Sequence, residues 1–221
     1  MNKQYILYAL PVLVFLINRI PYVGKYFRVV NTLFHESGHA IAALITSGEV
    51  YEVELFSDTS GSAVTKTKSK FAQFLVAIAG YPFGSMAAYG FFFLVNKGEY
   101  RIVLYLLACF SLLNLMFYVR NTYGIFWLIT FTTILFLVNF YGGDFFQYVF
   151  TACVSGIILF EALYSSFELL VLAGRKSKSA GDAYSLERLT MVPTMIWALL
   201  FVVQAVFFIF ITIQLFFNIK V

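Results

Sequence analysis

Long apolar runs broken by short polar segments organise the whole chain. Runs at residues 71–95, 102–119, 123–140, 145–173 and 191–217 each come close to or exceed the roughly 20 helical residues that cross about 30 Å of hydrocarbon. The breaks at 96–101, 120–121 and 142–144 are short, and the break at 174–188 is longer and basic. Two more runs come earlier, at 5–17 and 29–46. No small-x-small cleavage site follows the first, so it reads as a retained membrane segment and not as a signal peptide. The second carries polar cargo: His35, Glu36 and His39. Between 47 and 70 lies the longest polar stretch. Residues 50–56 alternate apolar and polar as a half-exposed strand does, 58–61 read as a turn and 62–67 as the returning strand. The pattern predicts an all-α integral membrane protein. It is a polytopic bundle of six or seven transmembrane helices, with a small membrane-associated β-hairpin at about 49–67, and residues 1–221 form one domain.

Composition narrows the class. Of 221 residues, 61% are hydrophobic and 12% charged, against roughly 45–50% and about 25% in soluble domains. Disordered chains, disulfide-knit scaffolds, coiled coils and ordinary cytosolic enzymes are excluded. A net charge of +4, scattered along the chain, gives no basic surface of the density nucleic acid requires. With seven spans, the Lys and Arg residues on the two sides (Lys220 included) nearly balance, so charge does not orient the protein. Cys109 and Cys153 lie in apolar stretches and imply no disulfide.

The chemistry concentrates on one helical turn. His35 and His39 are the only histidines in the chain, and Glu36 follows the first. Positions i and i+4 share a helix face, so both imidazoles reach one metal ion. Glu36 then lies beside a metal-activated water as general base, the HExxH pattern of zinc peptidases. Ionisable groups inside a membrane cost roughly 2.5–3.5 kcal/mol each on insertion scales, so three on one turn call for a function. Two histidines leave zinc one protein ligand short, and only carboxylates remain to supply it. Asp58 reads as a turn residue. Asp144, Asp182, Glu161 and Glu168 stay open, the last two seven apart on one face of an apolar helix.

The segment Phe34-His35-Glu36-Ser37-Gly38-His39-Ala40, the Gly48-Glu49-Val50 turn, Gly61-Ser62-Ala63-Val64-Thr65 and Ala79-Gly80-Tyr81-Pro82 resemble the bacterial M50B-like branch of the site-2-protease metallopeptidases. So do Arg120-Asn121-Thr122-Tyr123-Gly124, Gly181-Asp182-Ala183, Leu189-Thr190, Pro193 and Trp197. The resemblance touches most of the chain, and its HExxH element is the specific part. It implies a multi-pass intramembrane zinc endopeptidase of a bacterial inner (cytoplasmic) membrane. Two histidines and a distant Asp hold Zn2+, and the Glu is the base. The Leu-Asp-Gly and Asn-Pro-Asp-Gly motifs of better-known site-2 proteases are absent. Gly181-Asp182-Ala183 matches the Ser-Asp-Ala position of the M50B-like branch, which makes Asp182 the implied third ligand. The implied partners are the lipid bilayer and a membrane-protein substrate, cleaved in or near a transmembrane segment.

In that clan an exposed strand beside the active site can pair with an unwound substrate. Ser62, Ala63, Val64 and Thr65 are the expected substrate-binding strand, with Asn121 as a further candidate that reaches a scissile carbonyl or braces the site. Gly80, Gly84 and Gly90 read as a small packing face. Lys66, Lys68 and Lys70 read as a solvated run facing lipid headgroups. Two other functions fit the same residues. One is a metal-binding protein or transporter using the His pair with Glu161 and Glu168. The other is a non-catalytic, chaperone-like bundle on the protease fold.

Overall fold

A computed structural model describes residues 3–217; Lys220, counted in the charge balance, lies outside them. The chain order is α1 (Lys3–Arg19), α2 (Val23–Ile45), β1 (Glu49–Leu55), β2 (Gly61–Lys66), α3 (Lys70–Asn96), α4 (Tyr100–Phe117), α5 (Thr122–Tyr141), α6 (Asp144–Arg175), α7 (Gly181–Thr190) and α8 (Thr194–Phe217). Every expected apolar run is a helix, and the polar stretch is a hairpin. Among the described residues, α3, α4, α5, α6 and α8 are long and apolar enough to cross a membrane. The 23-residue α2 has the length, but Lys25, Arg28 and Glu36 interrupt its apolar surface. Helix α1 has 17 residues.

The break at 174–188 differs from expectation, because the short helix α7 fills much of it. Its apolar residues are few but correctly spaced. Ala180, Ala183 and Leu186 recur every third position and are fully buried with Ala77, Leu169 and Phe201. That spacing was the available signal, and the basic residues around it obscured it.

Helix α2 is the axis of the bundle. It packs along α3, against α6 and α1, and under both strands. Small residues allow the closest approach. A Cβ on Gly38 of α2 would stand 2.8 Å from the Phe83 Cβ and 3.2 Å from the Gly80 Cα of α3. The other side of the bundle is apolar bulk: Trp127 stacks on Phe131 with ring centres 4.8 Å apart, and its indole N–H donates to the Tyr26 carbonyl at 2.8 Å. Outward faces carry exposed Phe140, Phe126, Val203 and Phe207, a surface suited to lipid.

The hairpin is antiparallel, with Val53 opposite Ala63, Leu55 opposite Gly61 and a bulge between Val50 and Glu52. At its tip the Ser60 amide and hydroxyl both donate to Asp58, which holds that carboxyl below its ordinary range and confirms Asp58 as a turn residue. The Thr32 hydroxyl of α2 donates to the Thr59 carbonyl at 2.7 Å and ties the tip down. The outer edge of β1 is closed. Val53 N–H donates to the Tyr118 carbonyl at 2.9 Å, and the Asn121 amide accepts from Leu55 N–H at 3.2 Å and donates to its carbonyl at 2.6 Å. Val53 and Leu55 thus turn their main-chain groups away from β2. In an antiparallel ladder their partners Ala63 and Gly61 must do the same in the opposite direction, toward the free edge of β2.

Asn121 is therefore a fastener of the hairpin. Asn121→Ala leaves Leu55 with two unpaired main-chain groups, at about 1–3 kcal/mol. Amide exchange at Val53 and Leu55 should accelerate by roughly tenfold or more, with α3 and α6 unchanged, in hydrogen–deuterium exchange.

Candidate metal centre

Helix periodicity sets the two histidines side by side on α2, and α3 and α7 complete the site. His35 Nε2 and His39 Nε2 lie 3.2 Å apart. The Asp182 Oδ2 is 3.2 Å from His35 Nε2 and 3.3 Å from His39 Nε2. Three ligand atoms form a nearly equilateral triangle. Ligands about 2.0–2.1 Å from a tetrahedral zinc lie about 3.3–3.4 Å from one another, so the triangle has the dimensions of one tetrahedral face. Donor chemistry fits as well: two imidazole nitrogens and one carboxylate leave the fourth position open.

Each ligand is held. The Val76 carbonyl of α3 lies 2.6 Å from His39 Nδ1, which makes that nitrogen the donor and leaves Nε2 with its lone pair toward the triangle. The His35 ring stands edge-on to Tyr81, centroids 4.6 Å apart. Asp182 sits in the first turn of α7, where the helix dipole favours a carboxylate. Glu36 is buried beside the triangle, and among the described residues its carboxylate accepts no hydrogen bond from a protein group. Gly61 at the start of β2 lies against it; a Cβ there would come within 2.9 Å of Glu36 Oε1.

These residues form the floor of a cavity of about 830 Å³. One wall is β2, another the early turns of α3, and a third the face of α7 bearing Asp182, Ser185 and Arg188. The cavity thus holds a buried carboxylate beside a metal-sized triangle of ligand atoms. The sequence comparison agrees with that chemistry, because the model of the Peptidase M50B-like family matches residues 6–212. The chain belongs to this family. Neither the curated proteins nor the solved structures yield a match.

The remaining candidate residues lie as follows around this cavity. Ser62, Ala63 and Thr65 line the cavity, whereas Val64 does not and is exposed. Asn121 lies at the closed edge of β1, not at the cavity, because its amide is taken up by Leu55. Asp144 pairs with Arg101 at 2.9 Å, about 37 Å of helix away from Leu169, the α6 residue on the cavity wall. Glu161 is ion-paired with Arg28 at 2.7 Å. Glu161 and Glu168 line a separate polar cavity of about 190 Å³ that meets the first at His35 and Glu36. Neither joins the ligand triangle.

Gly80 has a role that reading it as a packing residue missed. A Cβ at Gly80 would stand 2.5 Å from His39 Nε2 and 2.8 Å from His35 Nε2. The only hint in the sequence was a glycine in an otherwise helix-forming run, which cannot reveal what approaches it. Gly80→Ala should lower zinc affinity on the order of 100-fold in chelator competition. Gly90→Ala, with no atom within 4 Å of its added methyl, should leave it unchanged. Both exchanges carry the same helix gain of about 0.5–1 kcal/mol, so the difference between them reports the close approach at Gly80, and a thermal melt of the metal-free protein separates lost affinity from lost fold.

Proposed function

We propose that this M50B-like peptidase is a zinc-dependent intramembrane endopeptidase that cleaves a peptide bond in or near a transmembrane segment of another membrane protein. The observation that carries the reading is the His35–His39–Asp182 triangle with buried Glu36 beside it, at the floor of a cavity bordered by an unpaired strand edge. Zinc held there supplies Lewis acidity toward a water and toward the peptide carbonyl. Glu36 accepts the proton of the attacking water and returns it to the leaving amine. The low-dielectric surroundings of α2 and α3 strengthen every charge interaction made during the step.

A helical substrate has its carbonyls engaged, so it must be extended before attack. Gly61 and Ala63 supply the means. Their main-chain groups face the free edge of β2 and can take a substrate strand into the sheet beside Glu36. Strand pairing needs little from the substrate side chains, which suits a protease acting on apolar sequences. Five helices meet the length and apolarity of membrane spans, and we assign α2 and α1 as further crossings that complete the expected six or seven. The membrane is taken to be a bacterial inner membrane, on the family resemblance. The transporter reading needed Glu161 and Glu168 as a cation path, and the ion pair of Glu161 with Arg28 does not favour it.

Zinc stoichiometry on detergent-purified protein tests the assignment. About one zinc per chain is expected in the wild type and in Glu36→Gln. Loss is expected in His39→Ala and in Asp182→Ala, and retention in Asp144→Ala. Cleavage of a reconstituted transmembrane substrate should disappear in Glu36→Gln while the zinc remains. No zinc in any sample after reloading would overturn the reading.

A further inference from the structure

The far end of the same cavity carries two cations. Lys70 opens α3 and Arg188 lies two turns along α7 from Asp182, and both line the cavity wall. The only carboxylates in that wall are Glu36 and Asp182, which belong to the metal centre. Among the described residues neither Lys70 nor Arg188 has a salt-bridge partner, whereas neighbouring Lys66 is paired with Glu49 at 3.4 Å. Lys70 is thus part of the cleft, where the lysine run as a whole had read as facing headgroups.

The two charges converge on one place. Gly80, in the middle of α3, lies against the histidines, and Lys70 is the first residue of that helix, ten positions earlier. Helix α7 runs antiparallel to it. Its first turn holds Asp182 at the histidines, and its last residue, Thr190, accepts from the Trp197 indole at 3.1 Å, whose ring packs on Phe74 of the first turns of α3. Arg188 and Lys70 therefore both lie toward the Phe74 end of the cleft. From Asp182 to Arg188 the helix rises about 9 Å, as it does from Val76 to Lys70. An extended peptide covers that distance in about three residues.

We propose that Lys70 and Arg188 form a specificity site for an acidic side chain two to four residues from the scissile bond. The inference rests on the endopeptidase reading and names its substrate class: an apolar, extensible segment followed or preceded closely by Asp or Glu. A membrane-spanning substrate would present such a residue near the end of its apolar stretch. The cation pair then sets which bond reaches the metal centre, since strand pairing alone is indifferent to register.

The test uses the full-length, zinc-loaded protein in detergent and a set of unstructured peptides sharing one apolar core, with Glu, Gln or Lys placed singly at each flanking position. Cleavage sites are mapped by mass spectrometry. Binding of the same peptides to Glu36→Gln is measured by fluorescence anisotropy at low and high salt. The wild type should prefer Glu two to four residues from the cut, roughly three- to fivefold over Gln for each cation, and lose the preference at high salt. Arg188→Glu combined with Lys70→Glu should invert the preference toward Lys, which a merely structural role for these exposed residues would not do. Lys97→Glu, at the far end of α3, should change nothing. Cleavage or binding indifferent to charge would overturn the inference and leave the endopeptidase reading intact. No cleavage, with Glu peptides still preferred in binding, would support the cation site and overturn the endopeptidase reading.

Discussion

The structure depends on how closely α2 and α3 can approach. Two helices normally keep their axes 8–10 Å apart because side chains separate them. At Gly38 and Gly80 there are none, and the backbone of α3 reaches the imidazoles of α2 directly. The contact serves two purposes at once. It clears the space in which His35 Nε2 and His39 Nε2 converge, and it brings the Val76 carbonyl within 2.6 Å of His39 Nδ1. A polar turn inside an apolar bundle is costly, and this contact supplies one of the hydrogen bonds that offset the cost.

The third corner of the triangle is built differently, because Asp182 comes from a ten-residue helix that buries only Ala183 and Leu186. Helix α7 is fastened at its far end. The Glu187 carboxylate accepts from the hydroxyls of Thr194 and Ser177, joining α7 to the start of α8 and to the turn after α6. The Ser177 and Thr194 hydroxyl oxygens lie 2.9 Å apart beside that carboxylate, so the three groups form one cluster. With the last turn tied to its neighbours and Ala183 and Leu186 buried, the first turn has one position left to occupy, at the histidines.

The readable part of the sequence follows from this division. Apolar periodicity and length expose the spans and the hairpin, since both are local properties of the chain. The HExxH turn is visible because its ligands are neighbours on one helix. Asp182 was one of several carboxylates until family resemblance ranked it, for a physical reason: its position depends on how α7 docks against α3 and reaches the histidines of α2, and that docking is not encoded near residue 182. Gly80 and Asn121 show the same limit. Glycine in an apolar helix reads as packing, and Asn121 reads as a group that reaches a scissile carbonyl or braces the site. What each one meets, the His pair and the Leu55 main chain, is decided by elements tens of residues away.

The hairpin has unequal edges, and the inequality has a direction. The outer edge of β1 is saturated by Tyr118 and Asn121, and Val53 and Leu55 are completely buried. An extended segment arriving from the membrane cannot pair there. Among the described residues the edge of β2 is open, and Gly61 lies against Glu36, so a strand joining the sheet there would lie beside that carboxylate. An open strand edge is ordinarily an aggregation hazard. Here the edge borders a cleft whose other walls are α3 and α7. In the proposed protease, that cleft is the route by which an unwound peptide would reach the metal centre.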